Sequence, residues 1–237
     1  MGERVRTGIS GYDNLLGGGY IPSSINLLCG CSGSGKTLFT MSYLYNGAAL
    51  YGQRGVYITL EEMRDHVVRD SKIIGLDFDK VDDDQLMIYD MSSLRVNAVQ
   101  TKDEVDSEES PLRLDNLLEF IKINYSDVTR LGLDSIVPIA IAYRDEHVFR
   151  AELFRFMMSL KKMGITVVFT TEIPLSSNDT SRFGMEDFLA DSVTLLRVRE
   201  EWGRQIKVHK MRGSNHIKNF VDYDISSAGI KVCLLYT

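Results

Sequence analysis

The run Gly30-Cys31-Ser32-Gly33-Ser34-Gly35-Lys36-Thr37 has the residue types and spacing for phosphate chemistry. It fits G-x-x-x-x-G-K-S/T, with an extra glycine inside. Glycines let successive backbone N–H groups curl round an anion without Cβ clashes, and a helix beginning at the lysine adds its positive dipole end. Lys36 is placed to reach β- and γ-phosphates, and the Thr37 hydroxyl to hold Mg²⁺. A plain glycine-rich turn is the alternative. The apolar run before the motif and the helical pattern after it favour the phosphate cradle. Gly30, Ser32, Gly33, Ser34, Gly35, Lys36, Thr37 and the adjoining Leu38 are thus the candidate nucleotide contacts.

Binding alone is not hydrolysis, which needs a metal-side carboxylate, a group to activate water and positive charge for the departing phosphoryl group. Asp134 closes the apolar run Leu131-Gly132-Leu133. An acid at the C-terminal tip of a buried parallel strand sits where ligands gather in open α/β sheets, so Asp134 is the candidate carboxylate on the Mg²⁺ side. A helix N-cap is its competing role. Glu61 and Glu62 follow the strand-like Gly55–Leu60. Adjacent carboxylates repel unless a water, metal or cation uses them, and one could act as general base. On the residues alone, they serve equally as dipole partners of a following helix.

These groups need a scaffold that brings strand tips together. Strands are predicted at Ile25–Cys29, Gly55–Leu60, Leu86–Tyr89, Arg130–Asp134 and Ile165–Thr171, alternating with helices at Lys36–Leu50, Met63–Ile74, Leu114–Asn124 and Glu146–Met163. This β-α rhythm predicts an α/β fold, a mostly parallel sheet flanked by helices on both faces. After Glu186 the pattern changes to consecutive strands at Ser192–Arg199, Arg204–Lys210, Lys218–Ile225 and Ile230–Leu235, read as an antiparallel extension of the same sheet. The acidic stretch within Ser92–Pro111 reads as a solvated loop, with a gating or partner-binding loop as the alternative. With no linker and no internal repeat, residues 1–237 are expected to form one domain.

Composition narrows the function. A formal charge of −6 and the absence of a basic–aromatic strand-binding stretch argue against nucleic acid. Cys29, Cys31 and Cys233 are too few and too oddly placed for a disulfide framework; the first two read as small residues in a tight backbone. No apolar run approaches the roughly 18 residues of a membrane helix, and the charged N-terminus is no secretory signal. A cytoplasmic location is expected, without membrane insertion.

Several stretches together resemble the KaiC-like family of RecA-type ATPases. The lead-in Thr7-Gly8-Ile9-Ser10-Gly11-Tyr12-Asp13-Asn14-Leu15-Leu16-Gly17-Gly18-Gly19, the phosphate loop, Thr59-Leu60-Glu61-Glu62 and Leu133-Asp134-Ser135 are similar to its motifs. So are Lys161–Thr166, Thr170-Thr171-Glu172, Gly184–Asp191 and Lys210-Met211-Arg212-Gly213-Ser214-Asn215-His216. The resemblance implies a RecA-like fold, ATP with Mg²⁺, and glutamates that activate water. It further implies that Lys210 and Arg212 reach a neighbour's γ-phosphate across a subunit interface, with Ser214 and His216 nearby on the nucleotide. A guanidinium suits that role because it spreads charge over phosphoryl oxygens; a solvated basic strand end is the alternative. Trans-acting groups require a closed ring, expected to be a homohexamer.

The expected function is therefore a regulatory or signalling ATPase with an unidentified protein partner. The alternatives are an ATP-dependent scaffold with little hydrolysis and a RecA-like DNA recombination accessory. The sequence carries one ATPase unit where the family's namesake has two in tandem, so autokinase activity is not implied.

Overall fold

A computed structural model describes residues 3–93, 112–143, 145–174, 186–199 and 203–234. The chain runs α1 (Tyr12–Leu15), β1 (Ile25–Gly30), α2 (Lys36–Tyr51), β2 (Gly55–Thr59), α3 (Arg64–Ile73), β3 (Leu86–Asp90), α4 (Leu114–Asn124) and β4 (Arg130–Asp134). It continues through α5 (Val137–Ala142), α6 (Glu146–Lys162), β5 (Thr166–Glu172), α7 (Glu186–Leu189), β6 (Ser192–Arg199), β7 (Gly203–Met211), β8 (Val221–Ser226) and β9 (Gly229–Cys233). The strands join in one sheet in the order β3-β2-β4-β5-β1-β6-β7-β8-β9. From β3 to β6 every pairing is parallel, and from β6 to β9 every pairing is antiparallel. This is the α/β architecture predicted, with its antiparallel C-terminal extension.

The central strands are apolar on both faces because both are covered. Ile25, Leu27, Val56, Ile58, Leu131 and Leu133 face a core closed by α4, α5 and α6. Leu28 and Tyr57 face the opposite core, where Phe39, Met41, Tyr43 and Leu44 of α2 pack. In α6, Phe149, Leu153, Phe156, Met157 and Leu160 recur at helical spacing and are buried. Asp145 caps its first turn, accepting from the backbone N–H of His147 at 2.7 Å and Val148 at 3.2 Å.

Two sequence expectations shift. The strand expected at Lys218–Ile225 begins only at Val221. Residues just before it are drawn to α1 instead: Ile217 N–H donates to Leu15 C=O, and Ser214 Oγ to Leu16 C=O. The short α5 was not foreseen, since Val137–Ala142 is uniformly apolar and shows no period. The predicted acidic loop within 92–111 lies almost wholly outside the described residues, as do Gly184, Met185 and Leu235.

The lead-in motif is a structural staple. The Asp13 carboxylate accepts from Thr7 N–H and Oγ1, both at 2.8 Å, and from Gly8 N–H at 3.2 Å. Asp191 works similarly at the start of β1: it accepts from Ile25 N–H at 2.9 Å and pairs with Lys161 at 2.9 Å. No helix among the described residues is long and apolar enough to cross a membrane.

Candidate active site

The glycine-rich run links the end of β1 to the start of α2, as its motif requires. Ser34 is fully buried and turns inward: its N–H and Oγ both donate to Cys31 C=O, at 3.2 and 2.7 Å. Lys36 Nζ donates to Gly30 C=O at 3.0 Å and Cys31 C=O at 3.1 Å, which holds the ammonium over the loop. Gly35 caps α2 at φ 85°, where a Cβ would lie 2.4 Å from Ile225 Cδ1. Glycine is thus favoured by conformation, and any side chain here would also have to displace the tip of Ile225 on β8. Tyr223, also on β8, donates its phenol to Ser34 C=O at 2.5 Å. Cys29 and Cys31 are both buried and in no disulfide, in keeping with a packing role.

Asp134 ends β4 and is only 5% exposed. Its Oδ2 accepts from Thr37 Oγ1 at 2.6 Å and from the Tyr57 phenol at 2.5 Å, while Oδ1 accepts from Thr170 Oγ1. It does not cap the next helix, whose N-cap position is Ile136. A hydroxyl and a carboxylate converging at one point are hard oxygen donors. That set fits Mg²⁺, which is held by one or two protein oxygens plus phosphates rather than by a protein cage. Among the described residues no cluster of three or more His, Cys, Asp or Glu competes as a metal site.

Glu61 and Glu62 follow β2 after Leu60, and α3 begins beyond them at Arg64 with Asp65 as the acid of its first turn. The pair thus lies just ahead of the helix N-terminus rather than within its first turn. The ends of β2 and β4 are tied by Leu60 N–H to Asp134 C=O at 2.7 Å. Ser135 Oγ donates to Glu61 Oε1 at 2.9 Å. Thr59 Oγ1 donates to Glu62 C=O at 2.7 Å and accepts Glu62 N–H at 3.1 Å, fixing the turn that presents Glu62. The Glu62 carboxyl is raised above its ordinary pKa, first by desolvation where it turns into the cleft, then by Asp134, Asp70 and Glu61.

One open cleft of about 400 Å³ gathers Ser32, Gly33, Gly35, Lys36, Thr37, Leu38, Glu61, Glu62 and Asp134. Gly30 and Ser34 stand behind it as support. The cleft also contains Asp70, Glu172, Arg204 and Ile225, which sequence reasoning missed. Arg204 is the most consequential: its Nε is shielded from solvent and has no hydrogen-bond partner among the described residues. Nothing in an alternating strand sequence singles it out. Only the reversal of direction between β6 and β7 returns the start of β7 to the phosphate-loop edge.

The remaining candidates lie elsewhere. Val193 pairs with Lys210, and Ser192 with both Met211 and Asn26, so the end of β7 sits at the opposite edge of the sheet from the loop. There Lys210 Nζ donates to Asp187 C=O at 2.7 Å and Arg212 Nη2 to Phe188 C=O at 3.0 Å. Desolvation, then the neighbouring Arg212, lowers the Lys210 pKa. Ser214 Oγ donates to Leu16 C=O and accepts from Arg4 Nη2 at 3.2 Å. Both ring nitrogens of His216 are shielded and without a hydrogen-bond partner among the described residues. The fold thus brings together the loop, Asp134 and the glutamates, and keeps Lys210, Arg212, Ser214 and His216 away from that cleft.

A mostly parallel sheet with a phosphate loop after its central strand, a carboxylate on the tip of a strand two places away and a glutamate pair beside it defines a RecA-like nucleoside triphosphatase. The family model described as "ATPase: KaiC" matches residues 5–235, and the chain belongs to that family. The circadian clock oscillator protein KaiC of Synechococcus elongatus is 32% identical over 237 residues, covering 97% of this chain and 44% of the relative. That of Parathermosynechococcus lividus is 33% identical over 96% of this chain and 42% of its own length. The chain spans about half the length of these curated relatives. A KaiC-like protein from the hyperthermophilic archaeon Pyrococcus horikoshii OT3, known from its crystal structure, superposes with a TM-score of 0.81 at 32% identity. That match covers 98% of this chain and 99% of the other.

Proposed function

We propose that residues 1–237 form a single ATPase domain that binds ATP with Mg²⁺ and hydrolyses it to ADP and phosphate at the subunit interfaces of a ring. The observation that carries this reading is the convergence of Lys36, Thr37, Asp134, Glu61 and Glu62 on one cleft. Backbone N–H groups of the loop and the start of α2 cradle the phosphates, and Lys36 spreads its charge over the β- and γ-oxygens. Thr37 and Asp134 hold Mg²⁺, which when bound neutralises charge building on the phosphoryl oxygens. Glu62, with its raised pKa, takes the proton of the attacking water, and Glu61, held by Ser135, orients that water. Lys210 and Arg212 serve a neighbour's cleft, which accords with their distance from their own.

Phosphate release from Mg-ATP by the wild type and Glu62→Gln, with particle mass measured in parallel, tests this. Hydrolysis abolished by the substitution, from a ring-sized particle, is expected. Tight nucleotide binding without phosphate release from the wild type would contradict the proposal and leave a nucleotide-dependent scaffold.

A further inference from the structure

Tyr57 sits at the middle of β2, where the strand pattern calls for an apolar residue, and its side chain is fully buried. A buried phenol needs a hydrogen-bond partner, and this one spends its donor on Asp134. The local architecture makes that reach possible. Tyr57 pairs with Gly132 on β4, and Thr59 with Asp134, so the ring lies on the sheet face shared by Gly132 and Asp134. A Cβ on Gly132 would come within 3.1 Å of Tyr57 Cδ2 and 2.6 Å of Thr40 Cγ2. The missing side chain therefore leaves the passage through which the ring runs between β4 and α2 toward the carboxylate.

The oxygen it reaches is specific. Oδ2 is shared between Tyr57 and Thr37, whereas Thr170 takes Oδ1. Of these three hydroxyls, only that of Thr37 belongs to the phosphate loop motif. Tyr57 and Thr170 come from the strands on either side of β4 and brace the carboxylate from both flanks.

We propose that Tyr57 is a positioning residue for the metal-side carboxylate: its phenol holds Asp134 Oδ2 in place beside Thr37 and thereby sets the affinity of the site for a divalent cation. This rests on the assignment of Thr37 and Asp134 as the Mg²⁺ side of the cleft. Thr37 can then turn its hydroxyl toward the cation without releasing Asp134, because the phenol keeps the second bond to the same oxygen. Outer partners of a metal-binding carboxylate commonly contribute 10–100-fold to metal affinity, and Tyr57 is expected to contribute on the order of 10-fold.

The test is a titration of Mn²⁺ into wild type, Tyr57→Phe and Asp134→Asn, each saturated with a non-hydrolysable ATP analogue and followed by electron paramagnetic resonance. Binding of the analogue without metal is measured beside it. In Tyr57→Phe, Mn²⁺ affinity falls about 10-fold, metal-free binding stays within twofold, and excess Mn²⁺ restores phosphate release from ATP. Asp134→Asn is not rescued in this way. Wild-type Mn²⁺ affinity retained by Tyr57→Phe overturns the proposal. Equal losses in metal-free and metal-dependent binding also overturn it, as they show a merely structural role. Should the wild type itself show no nucleotide-dependent Mn²⁺ binding, the ATPase reading of the cleft fails first. Thr170→Val is a second probe of the same carboxylate, expected to weaken Mn²⁺ binding in the same direction.

Discussion

Arg212 cannot serve its own cleft, and the sheet register says by how much. Its N–H bonds Asp191 C=O, and Asp191 N–H in turn bonds Ile25 C=O, so Arg212 lies level with the first residue of β1. Gly30 lies five steps along the strand from Ile25, about 17 Å at ~3.3 Å per residue. Two strand spacings across β6 to β7 add about 10 Å sideways, which puts the Arg212 backbone roughly 19 Å from the loop. No arginine side chain covers that distance. If Arg212 acts at all, it acts on another subunit. Arg212→Ala alone and Glu62→Gln alone should each lose about 10³-fold or more in phosphate release. Mixed in equal amounts under conditions of subunit exchange, they should regain activity. A competent interface needs a cleft from the Arg212→Ala subunit and the guanidinium of a Glu62→Gln neighbour, which random mixing supplies at about one interface in four. Recovery to roughly a quarter of the wild-type rate is the expected result. A mixture no more active than its components, in particles shown by mass to contain both chains, would refute the trans-acting geometry.

Other consequences can be checked separately. Because the Glu62 pKa is raised in the folded protein, its ionised form destabilises the fold above the unfolded-state pKa, and that penalty fades as pH falls. Glu62→Gln should therefore melt higher than wild type near pH 7.5, with the gap closing by about pH 4; an unchanged or lowered Tm at pH 7.5 would contradict this. Arg204→Ala should weaken binding of an ATP analogue about 10-fold or more, the worth of a charge-assisted contact, with little effect on Tm; calorimetric titration reads it. Gly132→Ala should lower stability by ~1–3 kcal/mol through overpacking against Thr40 and Tyr57, seen as a shifted denaturation midpoint at constant slope.

The strand-and-helix order was legible because β1, β2, β4 and β5 are apolar, β-branched runs separated by helical periods. The loop motif then placed Lys36 and Thr37 without ambiguity. Asp134 was readable from its place at a strand tip, but the Glu61–Glu62 pair was not. On residues alone it could equally belong to a helix start, and only the fold shows that both glutamates line the cleft with Lys36, Thr37 and Asp134. Arg204, Ile225 and Tyr57 were invisible for a different reason. Their relation to the cleft depends on strand pairing and on which face a residue takes across three neighbouring strands, which no local pattern records. Residues 218–220 misled for the same reason: the contacts of Ser214 and Ile217 with the end of α1 hold the preceding segment there, and β8 begins only at Val221.

The most direct test of the ring-ATPase account is a structure of the assembled protein with Mg²⁺ and a non-hydrolysable ATP analogue. The account predicts Lys36 on the β- and γ-phosphates, Thr37 and Asp134 on the cation side, and Arg212 of one subunit at the γ-phosphate bound by the next. Nucleotide bound away from the Gly30–Thr37 loop, or bound there in a particle whose Arg212 faces only solvent, would contradict it.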